Sequence, residues 1–187
     1  MTVRIAVFAS GRGSNLQAIV EACKGGLMDA EVCVVISNKD DAEALERAKK
    51  FNIASYVIDS NDSSTMVEKL KLHNTNMVVL AGYLNKLSVD IIDMYQWVIN
   101  IHPSLLPKHG GKGMYGLAVH EEVISSGDID TGVTIHMVTE EYDEGEPIEQ
   151  LTISVHECDT AESLGLRVNK YEHLLLVHTI KRLIDNG

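Results

Sequence analysis

Residues 3–16 read VRIAVFASGRGSNL, and this stretch does more than any other to decide the fold class. Val3–Phe8 is a short apolar run rich in β-branched residues, which is typical of a buried strand. The glycine-containing turn after it leads into a predicted helix over Asn15–Cys23, with Ser14 as its N-cap. A buried strand that passes through a tight turn into a helix is the opening unit of an α/β sheet.

The same alternation continues through the first hundred residues. Further strands are predicted at Val32–Ile36, Ser55–Ile58, Met77–Leu80 and Trp97–Ile101, with helices at Ala42–Lys49, Ser64–His73 and Val89–Met94. Continuous apolar strands between helices indicate parallel strands that are covered on both faces. Because crossovers between parallel strands are right-handed, we expect an open, doubly wound, mostly parallel sheet of the Rossmann-like type.

The second half of the chain changes character. A helix is predicted at Leu117–Ser125, and two β runs, Gly132–Val138 and Pro147–Val155, then flank a turn-rich segment. These runs predict an antiparallel hairpin, and Ala161–Ile184 has the spacing of a closing helix. No linker or repeat divides the sequence, so we expect one α/β domain over residues 1–187.

Charge and composition limit the possible partners. The chain has 16 Lys and Arg against 27 Asp and Glu, a net charge of −11, which argues against nucleic acid or an anionic membrane as the main partner. It contains no run near the ~20 apolar residues that a membrane span needs. Its three cysteines form no CxxC pair and are interpreted as reduced thiols. We therefore expect a cytoplasmic protein.

The turn at residues 11–15, GRGSN, is the first segment that could bind a ligand. Its glycines permit close approach to the backbone, and the free amides and dipole of a helix start favour an anion. A dinucleotide fingerprint is excluded, because Leu16 stands at its third glycine and no acidic residue ends the second strand. A single phosphate monoester therefore fits better than NAD. The alternative is a plain strand-to-helix turn.

The second segment, residues 100–107, reads NIHPSLLP. Ligands of an open α/β sheet bind beyond the carboxyl ends of its strands, and alternation places Asn100 and His102 on one face of the fifth strand. An amide donor beside an imidazole could stabilise the oxyanion of an acyl transfer. A strand-end turn with a buried histidine is the alternative.

The third segment, residues 140–147, reads EEYDEGEP and has five carboxylates in eight positions. Such a run is usually a solvated hairpin tip. A carboxylate within reach of a histidine would raise its pKa and keep it protonated, but the run alone does not select one of the five. His136 lies between apolar neighbours and is interpreted as a buried supporting group. No metal site is expected.

Together these segments resemble the phosphoribosylglycinamide formyltransferase family of folate-dependent enzymes. The resemblance covers nearly the whole chain and is carried by residues 8–16, 36–39, 79–84, 100–107, 132–136 and 143–145. It implies a formyltransferase fold. It also implies transfer of the formyl group of 10-formyltetrahydrofolate, as cosubstrate, to the amine of 5-phosphoribosylglycinamide in purine (IMP) biosynthesis, without a metal.

The resemblance also implies residue roles. The catalytic residues would be Asn100, His102 and Asp143, with Asp143 holding His102 in its charged form and relaying a proton. The residues that bind the acceptor nucleotide would be Gly11, Arg12, Gly13, Ser14, Asn15, Asn169 and Glu172. The residues that contact the folate would be Leu84, Asn85, Lys86, Leu87, Val138, Glu140, Glu141 and Tyr142. Residues 1–100 would form the nucleotide half and residues 101–187 the folate-binding and catalytic half, with a cis bond before Pro107.

Several alternatives stay open at this point. A sugar N-formyltransferase, a formyltetrahydrofolate hydrolase and a methionyl-tRNA formyltransferase share this type of site, although the last two would bring an additional domain. A non-catalytic folate- or nucleotide-binding protein is the alternative from another class. Small-molecule substrates are the expected partners, and the chain could be a monomer or a homodimer.

Overall fold

The computed structural model describes residues 2–186, so Met1 and Gly187 lie outside the described residues. Its strands are β1 Val3–Phe8, β2 Ala30–Ser37, β3 Ala54–Val57, β4 Met77–Leu80, β5 Trp97–His102, β6 Asp130–Met137 and β7 Pro147–Ser154. Its helices are α1 Ser14–Lys24, α2 Glu43–Lys50, α3 Ser63–Leu72, α4 Val89–Ile92, α5 Leu117–Ser125 and α6 Ala161–Asn186. The predicted order of elements is confirmed, with boundaries shifted by at most two residues.

The seven strands form one sheet in the order β3-β2-β1-β4-β5-β6-β7. Strands β1 to β5 are parallel, whereas β6 pairs antiparallel with both β5 and β7. The strand order changes direction between β1 and β4, which is the switch point where open α/β sheets bind ligands. The expected doubly wound sheet with an antiparallel hairpin and a closing helix is confirmed.

Aliphatic side chains cover both faces of the sheet. On one face the core includes Leu16 of α1, Val123 of α5 and Leu176 of α6. On the other face Met66 and Leu70 of α3 pack against the same strands. Burial on both faces explains why the strands read as continuous apolar runs rather than as alternating patterns.

The start of α1 differs from the sequence-based prediction. The helix begins at Ser14 itself, and the N-cap is Gly13, in the left-handed region with φ 71° and no side-chain cap. A Cβ atom on Gly13 would lie 2.8 Å from Cα of Ala44 in α2. The close approach of α2 therefore requires glycine at this turn, and Ser14 as N-cap is wrong. The peptide bond between Leu106 and Pro107 is cis, as expected.

Candidate active site

A cavity of about 990 Å³ lies at the carboxyl ends of β1, β4 and β5. One end is formed by the turn of residues 11–15 and by α6, and the other by residues 84–87, 138–139 and 141–142. Asn100, His102 and Asp143 line its middle. The volume is at the upper end of the range for ligand pockets, so a single cavity connects the predicted phosphate turn, the predicted folate segment and the candidate catalytic residues.

The three candidate catalytic side chains meet in this cavity. Asp143 Oδ2 lies 3.5 Å from His102 Nδ1, and Asp143 Oδ1 lies 3.4 Å from the Asn100 side-chain amide. Asn100 and His102 are on one face of β5, as strand alternation predicts. Asp143 follows β6 in a turn where its φ is 58°, and this turn brings its carboxylate back over the end of β5.

The hydrogen bonds of His102 fix its tautomer. His102 Nε2 lies 2.8 Å from the main-chain carbonyl of His109, which can only accept a hydrogen bond, so Nε2 has the proton. The nitrogen that faces Asp143 is therefore Nδ1. A separation of 3.5 Å from the carboxylate fits an unprotonated Nδ1, because two acceptors do not approach to hydrogen-bond distance.

The net pKa of His102 differs from the sequence-based expectation. Burial lowers this pKa, and the negative charge of Asp143 and the carbonyl of His109 raise it by less. His102 is only 4% exposed, and the loss of water disfavours an imidazolium. Asp143 acts to raise the pKa of His102, as expected, but the expectation that it holds His102 in its charged form is wrong, because burial outweighs the carboxylate.

His136 supports the Asn100 side chain from the neighbouring strand. In the antiparallel register of β5 and β6 it stands opposite Asn100. Its Nδ1 donates to the carbonyl of Met137 at 2.8 Å, so its Nε2 accepts from the Asn100 amide at 3.0 Å. The interpretation of His136 as a buried supporting group is confirmed: it fixes which way the Asn100 amide points. The sequence alone, however, does not show that Asn100 is the residue that His136 contacts.

Asp143 is stabilised as a carboxylate. Burial acts to raise its pKa, but the neighbouring imidazoles of His136 and His102 and the hydrogen bond from the Gly111 amide together bring it below its ordinary value. The Gly111 amide donates to Asp143 Oδ2 at 2.8 Å. The site therefore has an ionised carboxylate beside a histidine whose protonation is suppressed.

The predicted nucleotide-binding residues lie together at the α1 end of the cavity. Glu172 is 9% exposed, and its carboxylate accepts from Asn15 at 3.2 Å and from Asn169 at 2.8 Å. Asn169 also donates to the Ser14 hydroxyl at 3.2 Å. Burial raises the pKa of Glu172, whereas these amide donors lower it. This chain of contacts ties α6 to the glycine turn, where main-chain amides at the helix start can hold a phosphate.

The predicted folate segment lines the opposite end, with one exception. Lys86 forms an ion pair with Glu141 at 2.7 Å and stands 5.3 Å from the centre of the Tyr142 ring. The side-chain oxygen of Asn85 accepts a hydrogen bond from the Asn38 amide at 2.7 Å, and the Asn85 amide donates to the Ser60 hydroxyl at 3.3 Å.

The exception is Glu140. Its side chain is exposed and does not line the cavity, because it lies at the outer side of the turn after β6. The prediction that Glu140 contacts folate is therefore not supported by its position.

Two further features of the described chain concern metals and membranes. Among residues 2–186, no group of three or more His, Cys, Asp or Glu side chains is arranged to hold a metal ion. Within the same residues, no helix combines the length and the apolar character needed to cross a membrane.

The fold and the residues gathered in this site are those of the formyl transferase family. The chain matches the family described as formyl transferase over residues 3–180, and it belongs to that family. Within the family it is similar to phosphoribosylglycinamide formyltransferases. The relative from Escherichia coli (strain K12) is 36% identical over 98% of this chain and 88% of its own length. The resemblance recognised in the sequence is therefore confirmed.

Plant relatives and a solved structure are also named phosphoribosylglycinamide formyltransferase. The chloroplastic phosphoribosylglycinamide formyltransferase of Arabidopsis thaliana is 38% identical over 97% of this chain, which spans 65% of that relative's length. The chain spans 61% of the relative from Vigna unguiculata. A crystal structure of phosphoribosylglycinamide formyltransferase from Bacillus halodurans superposes with a TM-score of 0.88 at 36% identity, over 96% of this chain and 94% of that one.

Proposed function

We propose that this chain transfers the formyl group of 10-formyltetrahydrofolate to the amine of 5-phosphoribosylglycinamide, a step of purine biosynthesis. The observation that carries the proposal is the single cavity in which a phosphate-type turn and the buried carboxylate of Glu172 lead to Asn100, His102 and Asp143. The names of the relatives support the same substrates.

The two substrates would occupy opposite ends of the cavity. The main-chain amides of Gly13 and Ser14 would hold the phosphate of the ribonucleotide, and the carboxylate of Glu172 would accept hydrogen bonds from the ribose hydroxyls. The folate would lie along Leu84–Leu87 and Tyr142. The amine and the formyl carbon would then meet beside His102, and holding them there supplies much of the rate acceleration.

The chemistry follows from the protonation states of the site. The amine attacks the formyl carbon, a C–N bond forms, and the formyl oxygen becomes an oxyanion that accepts a hydrogen bond from the Asn100 amide. The proton of the amine passes to the pair His102–Asp143, whose Nδ1 is free to receive it. The same proton returns to N10 of the folate as the bond between N10 and the formyl carbon breaks. The products are tetrahydrofolate and formylglycinamide ribonucleotide.

The proposal is tested with 10-formyl-5,8-dideazafolate as donor and glycinamide ribonucleotide as acceptor, with deformylation followed by absorbance. We expect deformylation that requires the ribonucleotide, that is lost in His102→Gln and that is retained in His156→Gln, which changes an exposed histidine outside the cavity. Deformylation without the ribonucleotide would instead identify a hydrolase. Binding of both ligands without reaction would identify a binding protein, and transfer only to an amino sugar would identify a sugar N-formyltransferase.

A further inference from the structure

We propose that His109 and Asp128 form an anchor that holds the main chain of residues 109–111 against His102 and Asp143. The anchor thereby sets where the proton sits on His102. Both would be positioning residues, because neither lines the cavity. The proposal rests on the proposed function only in taking His102 as the group that receives the proton.

Two main-chain groups of this segment hold the catalytic pair from its two sides. The carbonyl of His109 accepts from His102 Nε2 at 2.8 Å. Two residues later, the amide of Gly111 donates to Asp143 Oδ2 at 2.8 Å. The first contact places the proton of His102 on Nε2, and the second keeps the carboxylate facing Nδ1. The geometry of the pair therefore depends on where residues 109–111 lie.

This segment has little stiffness of its own. His109 has φ 54°, and Gly111 and Gly113 have φ 95° and 91°, all in the left-handed region. Glycine restricts the backbone least of all residues, and a histidine at positive φ is disfavoured unless its surroundings hold it there. The side chain of His109 is therefore the part of the segment that can fix it.

Asp128 supplies the fixed point. His109 Nε2 lies 2.7 Å from Asp128 Oδ2, and the two side chains are only 11% and 19% exposed. Asp128 follows α5, and its amide donates to the carbonyl of Val123 in that helix at 3.3 Å. A partly buried contact to the end of a rigid helix can hold a glycine-rich segment in place, where an exposed pair could not.

The charges around the anchor and the catalytic histidine are few. Asp128 is faced by His109 and by Lys108, whose ammonium lies 3.0 Å from Oδ1, and their hydrogen bonds hold the pKa of Asp128 below its ordinary value. The pKa of His102 is influenced by Asp143, His109 and His136. The charge of His102 in turn influences the pKa of His120. The carbonyl of His109 is one of the two contacts that raise the pKa of His102. When the anchor is released, this pKa is expected to fall.

The experiment compares Asp128→Asn with Lys108→Met. Lys108 contacts the other oxygen of the same carboxylate but is 67% exposed and touches neither member of the catalytic pair, so it is the matched control. The pKa of His102 is measured by NMR on protein with ¹³C-labelled histidine, with the signal assigned through His102→Gln. This measurement needs no substrate, so it distinguishes failure of the anchor from failure of the proposed function.

We expect the pKa of His102 to fall in Asp128→Asn and to stay unchanged in Lys108→Met. In the transfer assay, kcat of Asp128→Asn should fall about 10- to 100-fold, the scale of a misplaced catalytic group, whereas KM for the ribonucleotide should change less than about twofold. If Asp128→Asn does not fold, His109→Asn replaces it, because asparagine tolerates positive φ. An unchanged pKa of His102 in a folded variant, or an equal change in Lys108→Met, would overturn the anchor.

Discussion

His120 provides a test of the structure that does not depend on substrate. It lies on α5 with 6% of its surface exposed, and a Cβ atom on Gly165 of α6 would lie 2.8 Å from its ring. Among residues 2–186, no group makes a hydrogen bond to its Nδ1. Burial, with a smaller contribution from the charge of His102, lowers the pKa of His120 to about 4. We predict that, as the pH falls, the wild type loses measurably more stability than His120→Leu does.

The magnitude follows from the two pKa values. The unfolded chain binds a proton at His120 with a pKa near 6.5, whereas the folded chain binds it near 4. Between these values the unfolded state holds more protons, so the stability supplied by neutral His120 is complete above pH 6.5 and is lost as the pH falls toward 4. The full effect is about 3 kcal/mol. The part of this stability that is lost between pH 7.5 and pH 5.5 is about 1.3 kcal/mol.

The assay is urea unfolding of the wild type and of His120→Leu at pH 7.5 and 5.5. At pH 7.5 the two should have similar stability, since leucine removes no hydrogen bond at Nδ1. At pH 5.5 the wild type should have lost about 1.3 kcal/mol more than the variant. His156→Gln, which changes an exposed histidine, should behave as the wild type does. The same pH dependence in the wild type and His120→Leu would refute the argument.

Three further outcomes are expected. Asp143→Asn should lower kcat at least about 100-fold and leave the calorimetric dissociation constant of the ribonucleotide unchanged; a rate near that of the wild type would remove Asp143 from the mechanism. Gly13→Ala should raise KM for the ribonucleotide roughly tenfold, because its Cβ would lie 2.8 Å from Ala44 Cα and displace the turn; an unchanged KM in a folded variant would move the phosphate site elsewhere. Glu172→Gln should also raise KM for the ribonucleotide by roughly tenfold and leave KM for the folate alone, and the reverse pattern would exchange the two ends of the cavity.

The fold could be predicted from local patterns because most of its strands are buried on both faces. Val3–Phe8 and Met77–Leu80 match the observed strands residue for residue. The N-cap of α1 could not be predicted, because serine is a good cap and nothing local announces that α2 approaches Gly13. The hairpin was predicted, but its pairing with β5 is a long-range contact. That pairing is what places His136 opposite Asn100.

The position of Asp143 among five carboxylates depends on a contact that no run of charges encodes. A Cβ atom on Gly145 would lie 1.6 Å from the carbonyl oxygen of Met137. Only glycine therefore lets the turn after β6 fold back on that strand and bring Asp143 between His102 and His136. A glycine two residues after an acidic residue was the available signal, and it acquires meaning only once the neighbouring strand is known.

The protonation state of His102 cannot be predicted from its neighbouring charged groups alone. A carboxylate nearby predicts a raised pKa, yet burial acts on the imidazole in the opposite direction and is larger. The same burial acts on Asp143, but that carboxylate accepts hydrogen bonds from the Gly111 amide and from the Asn100 side chain, and it stays ionised. The site at rest thus has an uncharged base beside a charged carboxylate. That is the arrangement needed to take a proton from an attacking amine, and a permanently charged His102 could not do so.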